Sequence, residues 1–160
     1  MTTSLFSWGR LVLSCEEACL RSLDRLQPLA LLVVRLVVGV IMIGHGYPKI
    51  FGGLSHHVQM VGNLGLPGWL AYLSAAAEFF GGIMVIAGAC TRCASFAIVI
   101  DLAVAIWKVH WKNGLLGNGG YQFPLALATL AFALIFFGAG PLSIDSAWGR
   151  KSRPGKPARK

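Results

Sequence analysis

Charged residues are scarce in this sequence, and acidic residues are the scarcest of all. Of its 160 residues 12% are charged, and six Asp and Glu stand against 14 Lys and Arg. The sequence also lacks a Walker loop, a dinucleotide-binding fingerprint, a nucleophile elbow and an HExxH pair, so soluble-enzyme chemistry is unsupported. Because the basic residues lie in termini and connections without interleaved aromatics, the net charge of +8 does not indicate nucleic-acid binding.

Apolar residues are abundant in this sequence. They make up 56% of the chain, mean hydropathy is +0.67, and they gather into four runs at 29–46, 68–89, 93–111 and 123–139. Each run is near the roughly 20 residues that a helix needs to cross a bilayer, and continuous runs favour helices over strands. The sequence therefore predicts an all-α fold, a four-helix transmembrane bundle in a lipid bilayer. Gly46, Tyr47 and Pro48 are expected to break or kink the end of the first span.

The distribution of Lys and Arg predicts the orientation. In a four-span arrangement ten of them share the side of the two termini, and three lie on the opposite side. By the positive-inside rule both termini are cytoplasmic, which indicates a multi-pass protein of a bacterial inner membrane. Trp69, Trp107 and Trp111 then fall at the outer interface, as an aromatic belt requires.

Three segments follow from this arrangement. Residues 1–27 carry apolar side chains at helical spacing opposite charges, which is typical of an amphipathic helix at the membrane interface; a partly ordered cytoplasmic lead-in is the alternative. Residues 28–145 form the transmembrane domain. Residues 146–160 are basic, include Pro154 and Pro157, and are expected to be a disordered cytoplasmic tail that can contact anionic headgroups.

Three ionisable residues lie inside the apolar spans. Arg35, Glu78 and Asp101 each cost roughly 2.5 to 3.5 kcal/mol at a helix centre, so each is expected to face protein or water. Helix rise places all three near mid-depth, where one Arg between two carboxylates leaves a surplus negative charge. Such an arrangement is a feature of proton-handling sites, and a structural ion pair that fixes helix register is the alternative.

A second polar cluster is expected towards the outer face. His45 and Lys49 are four residues apart on the first helix, Asp101 and Lys108 are seven apart on the third, and His110 follows at its outer end. With Tyr121 and Gln122 they outline a pocket suited to an anion, a phosphate headgroup or the carbonyl oxygens of a quinone. Snorkelling of Lys49 and Lys108 to the interface is the alternative.

Four cysteines offer a weaker signal. Cys90 and Cys93 form a CxxC between the second and third spans, and Cys15 and Cys19 share a helical face. A four-thiolate metal site or a thiol relay is conceivable, but cysteine is also an ordinary small apolar residue in membrane helices. His56 and His57 could bind a metal in the outer loop, although solvated loop histidines are the more common case.

Several motifs together resemble the DoxX family of small bacterial inner-membrane proteins. They are RLVVGVIMIGHGYPKIFGG at 35–53, GLPGWLAYLSAAAEFFGGIMVIAGACTR at 65–92, His110 with the Asn and Gly after it, and GAGPLSID at 138–145. The matched polar positions are Arg35, His45, Lys49, Glu78, Arg92 and His110. This sequence departs from the family pattern at Gln122, where many relatives carry Glu, and at Asp101, where many carry Asn.

The resemblance implies a link to redox processes, including thiosulfate oxidation coupled to quinone and membrane-associated oxidoreductase complexes. The leading hypothesis is a small redox-linked membrane subunit that binds quinone or a related small molecule between its helices, with a soluble redox enzyme as partner. The first alternative is a non-catalytic scaffold or assembly protein that anchors soluble partners and forms homo-oligomers. The second is a transporter of a small anion.

Overall fold

The computed structural model describes residues 25–151, and in this part of the chain it is helical without strands. Six α-helices follow one another within these described residues: α1 Gln27–Phe51, α2 Leu54–Asn63, α3 Trp69–Ala87, α4 Thr91–Ala105, α5 Gln122–Phe137 and α6 Ile144–Lys151. A π-helical turn, Ile106–His110, and a 3-10 turn, Trp111–Asn113, continue α4 without a break. The predicted all-α fold is therefore confirmed for the described residues.

In the part of the chain that the structure describes, three helical segments are long and apolar enough to cross a membrane. They are Gln27–Phe51, Trp69–Ala87 and the continuous run Thr91–Asn113. The fourth predicted span corresponds to α5, which is apolar but has 16 residues. At about 1.5 Å per residue α5 alone is shorter than a bilayer core of about 30 Å.

The helices pack around one apolar core that lies between α1, α3, α4 and α5. Val38 and Met42 from α1 meet Val85 from α3, and residues of α4 and α5 close the other side. Close backbone approach holds α1 against α3: a Cβ added at Gly46 would lie 2.6 Å from the backbone nitrogen of Phe79. Burial of small and aliphatic side chains thus positions the four long helices.

One end of the bundle is closed by Arg35, whose side chain is 1% exposed. Its guanidinium donates hydrogen bonds to the carbonyls of Val85 and Ile86 at the end of α3, at 2.9 and 2.6 Å. It also donates to the carbonyls of Ala139 and Leu142 after α5, at 2.8 and 2.7 Å. We call this region the closed end, because one arginine ties three parts of the chain together there.

Asp145 completes the closed end. Its carboxylate accepts hydrogen bonds from the backbone N–H groups of Cys90 and Thr91, at 2.7 and 3.0 Å, and so caps the first turn of α4. Its own N–H donates to the carbonyl of Gly88 at 2.9 Å. The GAGPLSID segment therefore folds back onto the α3–α4 turn.

The structure corrects three expectations. The first span does not end at Gly46, since α1 continues through Pro48 to Phe51; a proline in a membrane helix is tolerated where neighbouring groups take up the freed carbonyl. The connection after it is no loop but contains α2, whose hydrophobic side packs on the bundle.

The third correction concerns the C-terminal segment. Helix α6 occupies 144–151, where the sequence predicted disorder from Ser146 onward. The expected interfacial helix at 1–27 lies almost wholly outside the described residues.

Candidate functional site: a polar cavity between the helices

A cavity of about 650 Å³ lies at the other end of the bundle, between α1, α2, α3, α4 and α5. Most of its wall is apolar, with side chains such as Met42, Leu70, Ile100 and Leu127. The polar side chains that line it are His45, Lys49, His57, Ser74, Glu78, Asp101, Lys108 and His110. An apolar cavity of this size with a few convergent polar groups is typical of a small-molecule site.

An ion pair joins α1 to α3 inside the cavity. The Lys49 Nζ lies 2.6 Å from both carboxylate oxygens of Glu78 and donates a hydrogen bond to Oε1. The Glu78 side chain is 8% exposed and that of Lys49 is 24% exposed. Because α1 persists past Pro48, it presents Lys49 at the depth of Glu78 instead of releasing it into a loop.

Asp101 of α4 belongs to the same polar group. Its carboxyl interacts with the side chains of Ser74 and Glu78 and with the charge of Lys49. Two carboxylates therefore face one ammonium group, as the sequence suggested, but the cation is Lys49 and not Arg35.

His57 is a buried residue of the cavity wall that the sequence reading placed in a solvated loop. It lies on α2, is 6% exposed, and its Nε2 has no hydrogen-bond partner among residues 25–151. Burial lowers the pKa of His57 below its ordinary value, and the charges of Lys49 and His56 lower it further. His57 is therefore a neutral imidazole at pH 7. The alternation of polar and apolar residues in LSHHVQMVGN at helical spacing is the signal that could have revealed α2.

The π turn after α4 brings two more polar residues to the cavity. In a regular α-helix His110 would lie opposite Asp101, since nine residues make two and a half turns. The wider turn at Ile106–His110 shifts the register, and both Lys108 and His110 line the cavity. The Lys108 ammonium lies over the Trp107 ring, 4.6 Å from its centroid. The His110 Nδ1 lies 2.7 Å from the carbonyl oxygen of Gly119.

The structure thus brings six of the eight candidate residues together: His45, Lys49, Glu78, Asp101, Lys108 and His110. Gln122 is exposed at the start of α5, outside the cavity. Arg35 is also outside it. The expected contact of Arg35 with Glu78 and Asp101 is replaced by four hydrogen bonds to carbonyls. The guanidinium, which has five N–H donors, is satisfied by two carbonyls in the last turn of α3 and two in the segment after α5.

The cysteine hypothesis gains no support from the described residues. Cys90 and Cys93 are free and exposed at the closed end. Within the described part of the chain, no group of three or more His, Cys, Asp or Glu side chains could hold a metal ion. Cys15 and Cys19 lie outside the described residues.

Apolar helices around a cavity with buried charges define a helical membrane protein with an internal polar site. The chain belongs to the DoxX family, whose model, described as DoxX, matches residues 30–111. Among curated proteins, it is 35% identical over 103 residues to "Putative oxidoreductase CatD" of Bacillus subtilis strain 168, covering 64% of this chain and 76% of that protein. It is 30% identical over 141 residues to an uncharacterized protein of Haemophilus influenzae, covering 82% of this chain and 100% of that protein. No solved structure matches the chain.

Proposed function

We propose that this DoxX-family protein is a redox-linked membrane subunit that binds a quinone, or a related small molecule, in the cavity. The observation that carries the proposal is the cavity itself, with an apolar wall and the Lys49–Glu78 ion pair at its polar side. A quinone has a flat apolar ring, an apolar chain and carbonyl oxygens that accept hydrogen bonds. The wall matches the ring and chain, and Lys49 and His57 are donors for the oxygens.

The oxidoreductase name of the Bacillus relative supports a redox role. We propose that a soluble redox enzyme supplies or takes the electrons, and that this subunit contributes the quinone site within the lipid phase.

The proposed topology has four spans with both termini in the cytoplasm of a bacterial cell. In this arrangement α5 and the residues that flank it make the fourth crossing, and the cavity faces the outer half of the bilayer. A cysteine introduced at His56, which is exposed on α2, is expected to react with a membrane-impermeant maleimide in intact spheroplasts. Reaction only after the membrane is opened would contradict this topology.

Quinone binding is tested with the purified protein in lipid nanodiscs. Ubiquinone-1 and menadione are titrated against the wild type, against Lys49→Met and Glu78→Gln, and against Lys112→Met as control. Lys112 carries the same charge but does not line the cavity. We expect binding to the wild type and to Lys112→Met, and at least a tenfold loss in the two cavity variants, about 1.4 kcal/mol. Equal affinity in all four proteins would remove the site.

A further inference from the structure

Two carboxyl groups of the cavity, those of Glu78 and Asp101, interact with the ammonium group of Lys49. Lys49 already lies 2.6 Å from both oxygens of Glu78, and Asp101 adds a second carboxyl that interacts with Glu78. Glu78 is 6% exposed as a residue, so its surroundings screen charge poorly. Two ionised carboxylates beside one ammonium would leave a net negative charge there, and like charges in one site favour retention of a proton by one of the pair.

Among the described residues, no other titratable side chain of the cavity wall forms a salt bridge with the pair. Lys108 directs its ammonium to the face of Trp107, which does not line the cavity. His57 is buried and neutral beside Lys49. His45 on α1 and His110 on the π turn are the remaining titratable side chains of the cavity wall, and α5 contributes apolar residues to it.

We propose that Glu78 and Asp101 share one proton, and that the pair takes up further proton when the head of a bound ligand engages Lys49. The second half of this inference rests on the proposed quinone site. Sharing of a proton by Glu78 and Asp101 makes the cavity a proton-binding site as well as a ligand site.

The proposed proton uptake arises because the ligand and Glu78 compete for the ammonium group of Lys49. The carbonyl oxygen of a quinone head accepts a hydrogen bond but offers none, so the cavity serves it best through Lys49, the cation nearest the carboxyl pair. When the Lys49 ammonium turns to that oxygen, the pair of carboxyl groups loses part of the positive charge beside it, and a proton bound by the pair restores the balance. The proton comes from water and goes to a carboxylate oxygen, while no covalent bond of the ligand changes.

The shared proton is tested without any ligand. Infrared difference spectra of the nanodisc protein between pH 5 and alkaline pH are expected to show the C=O stretch of a protonated carboxylic acid at pH 5. Asp101→Asn and Glu78→Gln should each remove this band, whereas Asp145→Asn should keep it because Asp145 lies at the closed end. A wild-type spectrum without the band, or a band that survives in both cavity variants, would overturn the shared proton.

Linkage to the ligand is tested by calorimetry of ubiquinone-1 binding at pH 7 in phosphate and in Tris. The difference in heat gives the number of protons exchanged, and we expect net uptake of part of one proton by the wild type and by Lys112→Met. Asp101→Asn should bind ubiquinone-1 with uptake reduced to near zero. Binding without uptake in the wild type would overturn the linkage and leave the proposed quinone site standing. Absence of binding would overturn both the linkage and the proposed quinone site. The infrared spectra would then still test whether the two carboxyl groups share a proton.

Discussion

The ammonium group of Lys49 lies 2.6 Å from both carboxylate oxygens of Glu78, and this contact crosses from the first long helix to the second. Glu78 is nearly inaccessible, so the loss of its partner would leave a buried charge without compensation. The contact therefore contributes to packing as well as to the polar character of the cavity.

Replacement of Lys49 tests that contribution. We expect Lys49→Met to lower the free energy of unfolding by about 2 kcal/mol, less than for a fully buried pair because Lys49 is 24% exposed. Lys49→Met combined with Glu78→Gln should recover part of this loss, since the uncompensated charge is gone. Thermal unfolding in detergent micelles measures both, with Lys112→Met as control. A double variant that is no more stable than Lys49→Met would contradict this account.

Gly46 and Gly44 form a matched pair for the helix crossing. A Cβ at Gly46 would lie within 3 Å of the backbone of Phe79, whereas a Cβ at Gly44 would meet nothing within 4 Å. We expect Gly46→Ala to destabilise the protein by about 1–3 kcal/mol, because α1 and α3 must separate. Gly44→Ala should leave the unfolding temperature unchanged within error. Equal effects of the two substitutions would show that α1 does not cross α3 at Gly46.

Arg35→Lys tests the closed end. Lysine keeps the positive charge but cannot reach carbonyls of Val85, Ile86, Ala139 and Leu142 at the same time. We expect a loss of stability on the order of 3 kcal/mol, while the folded fraction keeps its affinity for ubiquinone-1 because Arg35 does not line the cavity. Arg92→Lys is the control, since Arg92 is exposed and donates to the carbonyl of Phe136. A selective loss of quinone affinity with normal stability would return Arg35 to the binding site.

The Asp145 carboxylate is expected to stabilise the fold, and this contribution should be lost in acid. Burial alone would raise the pKa of Asp145, but the hydrogen bonds from Thr91 and Cys90 outweigh it and the pKa lies below its ordinary value. A group with a lowered pKa stabilises the fold above its ordinary pKa, and this contribution is lost as pH falls through the folded-state pKa. The unfolding temperatures of the wild type and Asp145→Asn should therefore differ at pH 6, and the difference should shrink as the pH falls below the ordinary Asp pKa of about 3.9. A constant difference across this range would rule out the effect.

His57 predicts a second pH dependence, in a different range. Its folded-state pKa is lowered by burial and by the charges of Lys49 and His56, so between that pKa and the ordinary value of about 6.5 the unfolded chain binds more protons than the folded protein. Stability should therefore fall as pH drops below about 6.5. His57→Asn should flatten the curve of unfolding temperature between pH 7 and 5, and exposed His56→Asn should not. A profile unchanged by His57→Asn would contradict its burial as a neutral group.

The elements of the fold were largely predictable, because long apolar runs leave few alternatives in lipid. The predicted runs at 68–89 and 123–139 differ from α3 and α5 by one or two residues at each end. The short helices α2 and α6 were not predicted, since brief segments of mixed polarity look alike whether they pack or not. The passage of α1 through Pro48 depends on its packing with α3, which no local pattern reports.

The candidate site was predictable in composition but not in its pairing. Their spacing predicts that His45 and Lys49, and likewise Asp101 and Lys108, share a helix face, and all four residues line the cavity. Arg35 was expected to pair with the carboxylates because charged side chains can be read from a sequence. The backbone carbonyls that Arg35 contacts come together only when the segment after α5 packs beside the end of α3. His110 reaches the cavity through a π turn, and His57 through a helix that the sequence did not reveal.

The two ends of the bundle differ in how firmly the helices are held together. Arg35 bonds across three parts of the chain, and Asp145 caps α4 beside it, so the helices are pinned together at the closed end. At the other end the cavity replaces direct packing between side chains. The helices should therefore separate more readily at the cavity than at the closed end, and exchange of backbone amide hydrogens should be slower at Val85 than at Gly119, which lines the cavity.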